Sequence, residues 1–376
     1  MHAPSHPPIG LYVHIPFCAS KCAYCDFASC AGREADIPRY VDAVIREIAR
    51  RGAEAGHPRA DTVFLGGGTP SLLDERQTTR ILDALFEAFP IEEGAEITCE
   101  CNPGTLTAPL AHALRKAGVN RLSIGAQARQ ARLLRLLGRI HDWQGVVASV
   151  ETARQAGFDN INLDLMFGLP SQNVPDFRET LQAAIALSPS HLSCYGLIVE
   201  EGTPISRDIA EGKLALPDEE AERAMYELAR QTLATDGLDQ YEISNFARPG
   251  HACRHNLGCW TRVPYLGFGC AAHSFFGQCR TMNPSRIDAY LAGDEPKTER
   301  ISREEARFES MMLGLRLTRG VQDEDFADMH GMSIREAFGE RLDGLIDRGL
   351  LQWHAGALRL TRLGMDLQNS VLVELM

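Results

Sequence analysis

The residues best suited to chemistry in this sequence are three cysteines near its start, Cys18-Ala19-Ser20-Lys21-Cys22-Ala23-Tyr24-Cys25, spaced CxxxCxxC. Three thiolates this close can each hold one corner of a cubane [4Fe-4S] cluster and leave the fourth iron without a protein ligand. An open iron can bind a further molecule, whereas a closed cluster only carries electrons; Cys30 is the fourth ligand available to that second reading. A structural zinc site wants four protein ligands, usually from two close pairs, and three unrelated buried cysteines are the remaining alternative. Downstream, Gly66-Gly67-Gly68-Thr69-Pro70 lets a backbone approach a ligand and offers amide and hydroxyl groups to a carboxylate or ammonium. Taken alone, such a run also suits a tight strand-to-helix turn.

Elements able to position these groups recur along the chain. Six β-type runs are apparent: Leu11 to Ile15, Thr62 to Leu65, Glu96 to Cys99, Arg121 to Ile124, Asn160 to Met166 and His191 to Leu197. Helix-length stretches separate them, such as Ile37 to Ala49 and Thr78 to Phe89, whose apolar residues recur on one face. Strands alternating with helices predict parallel β/α units, here a partial (β/α)6 TIM-like barrel of the α/β class. Such a barrel works at the carboxyl ends of its strands. The cysteine cluster, the glycine run, Glu100 to Gly104, Gly125 to Gln127, Phe167 to Pro170 and Glu200 to Pro204 each follow one of the six runs.

We divide the 376 residues into a flexible N-terminus (1–10), the barrel (11–235), a connecting segment (236–300) and a C-terminal α+β winged-helix-like domain (301–376). That last domain rests on expected helices at Glu304 to Leu317 and Ile334 to Arg348, then strands Leu350 to Trp353 and Ala357 to Leu360. Residues 301–376 carry nine arginines and no lysine against thirteen carboxylates, and the whole chain has a net charge of −12, so a nucleic-acid partner is not expected. No run of apolar residues is long enough to span a bilayer, and the opening MHAPSHPPIG lacks the regions of a signal peptide. The expectation is a cytoplasmic protein that is not integral to a membrane. Its eleven cysteines then sit in a reducing compartment, with Cys99, Cys101 and Cys194 as small buried hydrophobes.

Leu11-Tyr12-Val13-His14-Ile15-Pro16-Phe17-Cys18, followed by Lys21-Cys22-Ala23-Tyr24-Cys25-Asp26-Phe27, resembles the radical S-adenosylmethionine (SAM) signature of the oxygen-independent coproporphyrinogen III oxidase superfamily. Within it, the match is closest to the heme chaperone group. The resemblance runs from Leu11 to about Gly364 and implies a radical SAM barrel with SAM chelating the open iron. The reduced cluster then donates an electron to the sulfonium, yielding methionine and a 5′-deoxyadenosyl radical. It assigns the methionyl amino group to Gly67, Gly68 and Thr69, and further SAM contacts to Glu100, Gln127, Arg139 and Asp164. An arginine at 139 suits a carboxylate in fork geometry, although any one of these charges by itself also suits a solvated surface. Tyr24 is suited to packing near the adenine; Tyr12 is either a second aromatic contact or core.

His255-Asn256-Leu257-Gly258-Cys259-Trp260 resembles the HNxxYW segment that distinguishes the chaperones from the oxidase, with Cys259 in place of tyrosine. His255 is the expected axial heme ligand, with Trp260 as an apolar face for the macrocycle. A structural histidine is the alternative, and Cys259, His251, Cys253 and His273 are rival ligands. The implied cofactors are the [4Fe-4S] cluster, SAM and heme. The implied partners are apo-hemoproteins, including membrane-associated respiratory components, and a homodimer is compatible with the resemblance. The oxidase is the competing function, decarboxylating propionate side chains of coproporphyrinogen III. Phe27 stands where the oxidase carries a further cysteine and argues against it.

Overall fold

The computed structural model describes residues 7–376. Six parallel strands form its centre: β1 (Ile9–Ile15), β2 (Ala60–Gly67), β3 (Ile91–Cys101), β4 (Arg121–Gln127), β5 (Asn160–Phe167) and β6 (His191–Gly196). They pair in chain order, and the longest helix in each interval between them is α1 (Ile37–Glu54), α2 (Glu75–Ala88), α3 (Ala108–Lys116), α4 (Trp143–Gln155) and α5 (Val174–Ala186) in turn. A sixth, α6 (Glu219–Thr235), follows β6. This is the expected α/β arrangement, with every expected strand in place.

Strand alternation explains both faces of the sheet. Leu11, Val13, Val63, Leu65, Leu122, Ile124, Leu163 and Leu192 join Val41, Ile48, Leu82 and Leu85 of the helices in one buried apolar core. Residues of the other parity face inward and are aromatic or polar: Tyr12, Phe64, Thr98, Glu100, Ser123, Asn162, Asp164 and Ser193, brought level by the parallel register. Cys99, Cys101 and Cys194 are buried on the apolar side, as expected of small hydrophobes. Helix starts are set locally. Asp74 with Gln77, and Asn173 with Asp176, form capping boxes ahead of α2 and α5.

Two boundary expectations need correction. The strand begins at Ile9, so residues 9–10 belong to the sheet rather than to a flexible end; residues 1–6 lie outside the described residues. The segment 236–300 does more than connect. Its strands β7 (Asp239–Gln240) and β8 (Asn245–Ala247) extend the sheet beyond β6, while β9 (Tyr265–Phe268) pairs in parallel with β1. The antiparallel strands β10 (His273–Phe276), β11 (Cys279–Met282) and β12 (Lys297–Arg300) continue that edge, giving twelve strands. Runs this short carry no readable alternation. Between the two edges lies α7 (Arg254–Trp260).

The C-terminal residues build a second core around Met311, Phe326, Leu342, Leu345, Leu358 and Leu360, with a three-stranded antiparallel sheet of Val321–Gln322, Leu351–His354 and Ala357–Leu360. The helix expected over Ile334 to Arg348 is broken into Ile334–Phe338 and Glu340–Asp347, because Gly339 takes φ 51 and ψ −129, a conformation open to glycine. Among the described residues no helix is long and apolar enough to cross a membrane.

Candidate functional site

Cys18, Cys22 and Cys25 lie on the loop after β1 and line a cavity at the carboxyl ends of the strands. A short parallel ladder, Phe17–Cys18 with Cys30–Ala31, closes this loop, and Ala23 N–H donates to Leu137 O at 2.9 Å to dock it on the turn after β4. Among the described residues no three His, Cys, Asp or Glu side chains converge as a single ion requires. Thiols at separate corners of a cubane do not converge, since each takes a different iron. Cys30 does not line the cavity.

The glycine run follows β2. A Cβ on Gly68 would lie 2.7 Å from Phe17 O and 3.0 Å from Cys18 Sγ, so only glycine lets this backbone pass beside the cysteine loop. Thr69 Oγ1 donates to Cys18 Sγ at 3.7 Å, and Gly67 N–H donates to Glu100 Oε2 at 3.0 Å. Glu100, Asp164, Gln127, Arg139, Tyr24, Gly67, Gly68 and Thr69 all line the one cavity. Of the SAM contacts implied by the resemblance, Tyr12 alone is not among them. Its hydroxyl bonds His14 Nδ1 at 2.9 Å and its ring lies against Phe64, deeper between the strands, where it is half-buried and away from the cavity lining.

Burial in the cavity wall, reinforced by the neighbouring Asp164 carboxylate, pushes the Glu100 carboxyl up to about 8 against the opposing Gly67 N–H. Burial also raises Asp164, while hydrogen bonds from Asn162, Ser193 and Ser123 pull the other way. Gln127 reaches the cavity through a bulge: Gly125 and Gln127 face consecutive residues Asp164 and Leu165, and Gln127 has φ 64. Arg139 is largely committed already. Its Nη2 donates to Asn102 Oδ1 and Gly125 O, both at 2.6 Å, and its Nη1 to Cys22 Sγ at 3.5 Å. A carboxylate entering the cavity therefore meets the remaining Nη1 and Nε protons singly rather than a free fork.

Asn102, Ser123 and His141 are among the cavity residues to which the sequence assigns no role, as are Ser20, Ser29 and Thr105. Ser123 was accessible from period-two alternation with Gly125 along β4. Asn102 and His141 fall within the words Glu100 to Gly104 and Leu137 to His141, but no spacing rule singles them out. Burial and the neighbouring Arg139 cation push the His141 imidazole down to about 4.

His255 lies elsewhere, at the starts of β1 and β2. Thr62, its hydrogen-bond partner, precedes Gly67 by five residues, roughly 16 Å along a strand. Nδ1 meets Thr62 Oγ1 at 3.0 Å, the ring stacks on Phe64 with centroids 5.1 Å apart, and the residue is 8% exposed. Burial pushes it down to about 4, so the imidazole is neutral. It lines a cleft with Cys259, Tyr265, Pro7 and Pro8. The expected pairing with Trp260 is not realised. Cys259 lies four positions after His255, which puts them on one helical face, whereas Trp260 turns toward the C-terminal core under the Arg316 guanidinium, 4.4 Å from its ring. Among the rivals, Cys253 is committed through its thiol to Glu96 Oε1 at 3.3 Å, and His273 is exposed on β10.

The sequence profile of the radical SAM superfamily matches residues 12–184, and that of the HemN C-terminal domain matches residues 301–367. The chain is 38% identical over 367 residues to the heme chaperone HemW of Bacillus subtilis, covering 96% of this chain and 97% of the relative. It is 35% identical to the heme chaperone HemW of Escherichia coli, covering 97% of each. Among solved structures it resembles coproporphyrinogen III oxidase (HemN) from Escherichia coli, a radical SAM enzyme, with a TM-score of 0.84 and 25% identity over 98% of this chain and 90% of that one.

Proposed function

Because the chain belongs to the heme chaperone HemW family of radical SAM proteins, we propose that it holds a [4Fe-4S] cluster on Cys18, Cys22 and Cys25, binds SAM beside it, and carries heme for delivery to apo-hemoproteins in the cytoplasm. The observation that carries this reading is identity spread over nearly the whole of both chains, C-terminal domain included. A reduced cluster, when bound, supplies one electron at low potential to the sulfonium of SAM. This chain's own residues do the rest. Gly67 and Gly68 expose backbone to the methionyl end, and Thr69 adds a hydroxyl. Glu100 and Asp164 accept from the ammonium or the ribose hydroxyls, Gln127 donates or accepts at the bulge, and Arg139 offers an uncommitted N–H to the carboxylate. Tyr24, which packs beside the turn of Leu133, Leu134 and Leu137, shields the adenine side from water.

For heme, the reading assigns the axial position to His255. Its imidazole is neutral and its Nδ1 is held by Thr62, which leaves Nε2 for iron, the arrangement in which a second partner orients a metal-binding histidine. Cys259 is its neighbour in the cleft, with a thiol that burial pushes up to about 11.

Oxidase activity is the second reading, favoured by the close structural likeness to HemN. Phe27, 67% exposed at the cavity mouth, stands where that enzyme group carries its additional cysteine. Anaerobic assays of reconstituted protein separate the two. Stoichiometric heme binding and transfer to an apo-hemoprotein, without conversion of coproporphyrinogen, is the expected result; conversion would establish the oxidase. His255→Ala is expected to weaken heme binding at least tenfold, about 1.4 kcal/mol, and full retention would remove the ligand assignment.

A further inference from the structure

We infer that Asn102 is the positioning residue through which the barrel sets the reduction potential of the cluster, by holding Arg139 and Thr69 as hydrogen-bond donors to two of the three cysteine sulfurs. The inference rests on the cluster reading above. Asn102 Oδ1 accepts from Arg139 Nη2 at 2.6 Å, and Asn102 Nδ2 donates to Thr69 Oγ1 at 2.8 Å. A guanidinium can only donate, so this orientation of the amide is the one the chemistry requires. Beyond the amide, Arg139 Nη1 reaches Cys22 Sγ at 3.5 Å and Thr69 Oγ1 reaches Cys18 Sγ at 3.7 Å. Because Asn102 donates into the Thr69 oxygen, the Thr69 proton has to point elsewhere, and Cys18 Sγ is what it meets.

The clamp is built rather than incidental. The Asn102 backbone is pinned on both sides, its N–H by Ser71 Oγ at 3.3 Å and its carbonyl by Thr105 Oγ1 at 2.8 Å. A Cβ on Gly125 would lie 2.9 Å from both Arg139 Nη2 and Asn102 Oδ1, so glycine there leaves room for the pair. Neither Arg139 nor Thr69 is bonded to Cys25, which sits beside Phe27 and Ser29 of its own loop. One amide of the barrel thus governs the donors to Cys18 and Cys22 and leaves Cys25 alone. Adding an electron to a thiolate-bound cluster increases the negative charge on its sulfurs, so donors aimed at them stabilise the reduced state and raise the potential.

The test is a potentiometric titration of the anaerobically reconstituted full-length protein without SAM, followed by electron paramagnetic resonance of the reduced cluster. Asn102→Ala is expected to keep the iron and sulfide content of the wild type, to change the resonance, and to lower the midpoint by a tenfold shift in the one-electron equilibrium, about 59 mV. Thr69→Val, which loses one donor, shifts the same way by less, and Thr69→Ser, which keeps the hydroxyl, returns the wild-type potential. If Asn102→Ala takes up no iron, the two Thr69 variants decide. An intact cubane whose potential is unchanged in Asn102→Ala, or in Thr69→Val where that variant decides, overturns this inference alone. Absence of a cubane in the wild type overturns the cluster reading and this inference with it.

Discussion

Glu100→Gln tests whether the cavity wall holds a protonated carboxylic acid. The wild-type carboxyl is raised from 4.5 to about 8 on folding, so the folded protein binds a proton that the unfolded chain has already released between those two values. Stability therefore falls as pH rises through this window, at about 1.4 kcal/mol per pH unit, and levels off above pH 8. Between pH 6 and pH 9 the full loss is about 2.7 kcal/mol. Glu100 borders the cavity, where water screens part of the penalty, so we take about 2 kcal/mol. The glutamine variant has nothing to titrate and should lack this component, while contributions from Asp164 and other groups largely cancel in the comparison. Urea denaturation of the apo-protein at pH 6 and pH 9, wild type against variant, measures the difference directly. Equal pH dependence in the two proteins would refute both the raised pKa and the burial argument behind it.

Removing any of Cys18, Cys22 or Cys25 as alanine should abolish cubane absorption and cluster-bound iron after reconstitution, whereas Cys30→Ala, outside the cavity lining, should retain both. Gly68→Ala forces a methyl group to 2.7 Å from Phe17 O and should cost about 1–3 kcal/mol, read as a lower Tm together with reduced iron uptake. Arg316→Ala strips the cation from the Trp260 face and leaves the fully buried Glu242 without its ion pair at 3.3 Å. A loss of about 2 kcal/mol is expected, with a change in tryptophan fluorescence and no change in iron content.

Much of this protein is written in local spacing. Three cysteines within eight residues specify a loop suited to a cluster, and the six β-type runs, each trailed by glycine, proline or polar residues, specify a parallel barrel whose cavity lies at one end. Both signals survive in the sequence because they depend on neighbours a few positions apart, and a two-residue repeat already says which side chains face inward.

Facing and pairing across the fold were decided only in three dimensions. Tyr12 and Tyr24 are equally good aromatic candidates in the sequence, yet the depth of β1 sets one beside Phe64 while the cysteine loop carries the other to the cavity. Which of Cys259 and Trp260 accompanies His255 depends on the rotation of α7 against β2 and the C-terminal core, which no local pattern records. The strands Asn245–Ala247 and Tyr265–Phe268, which flank the six parallel strands, are too short to show alternation and exist because β6 and β1 offered unpaired backbone. Asn102 acquires its contacts only when the loops after β2, β3 and β4 meet, and Glu100 acquires its high pKa only when the closing wall takes water away and Asp164 adds its charge. Hydrogen bonds and desolvation between residues far apart in the chain are properties of the packed state, so the tertiary structure alone determines them.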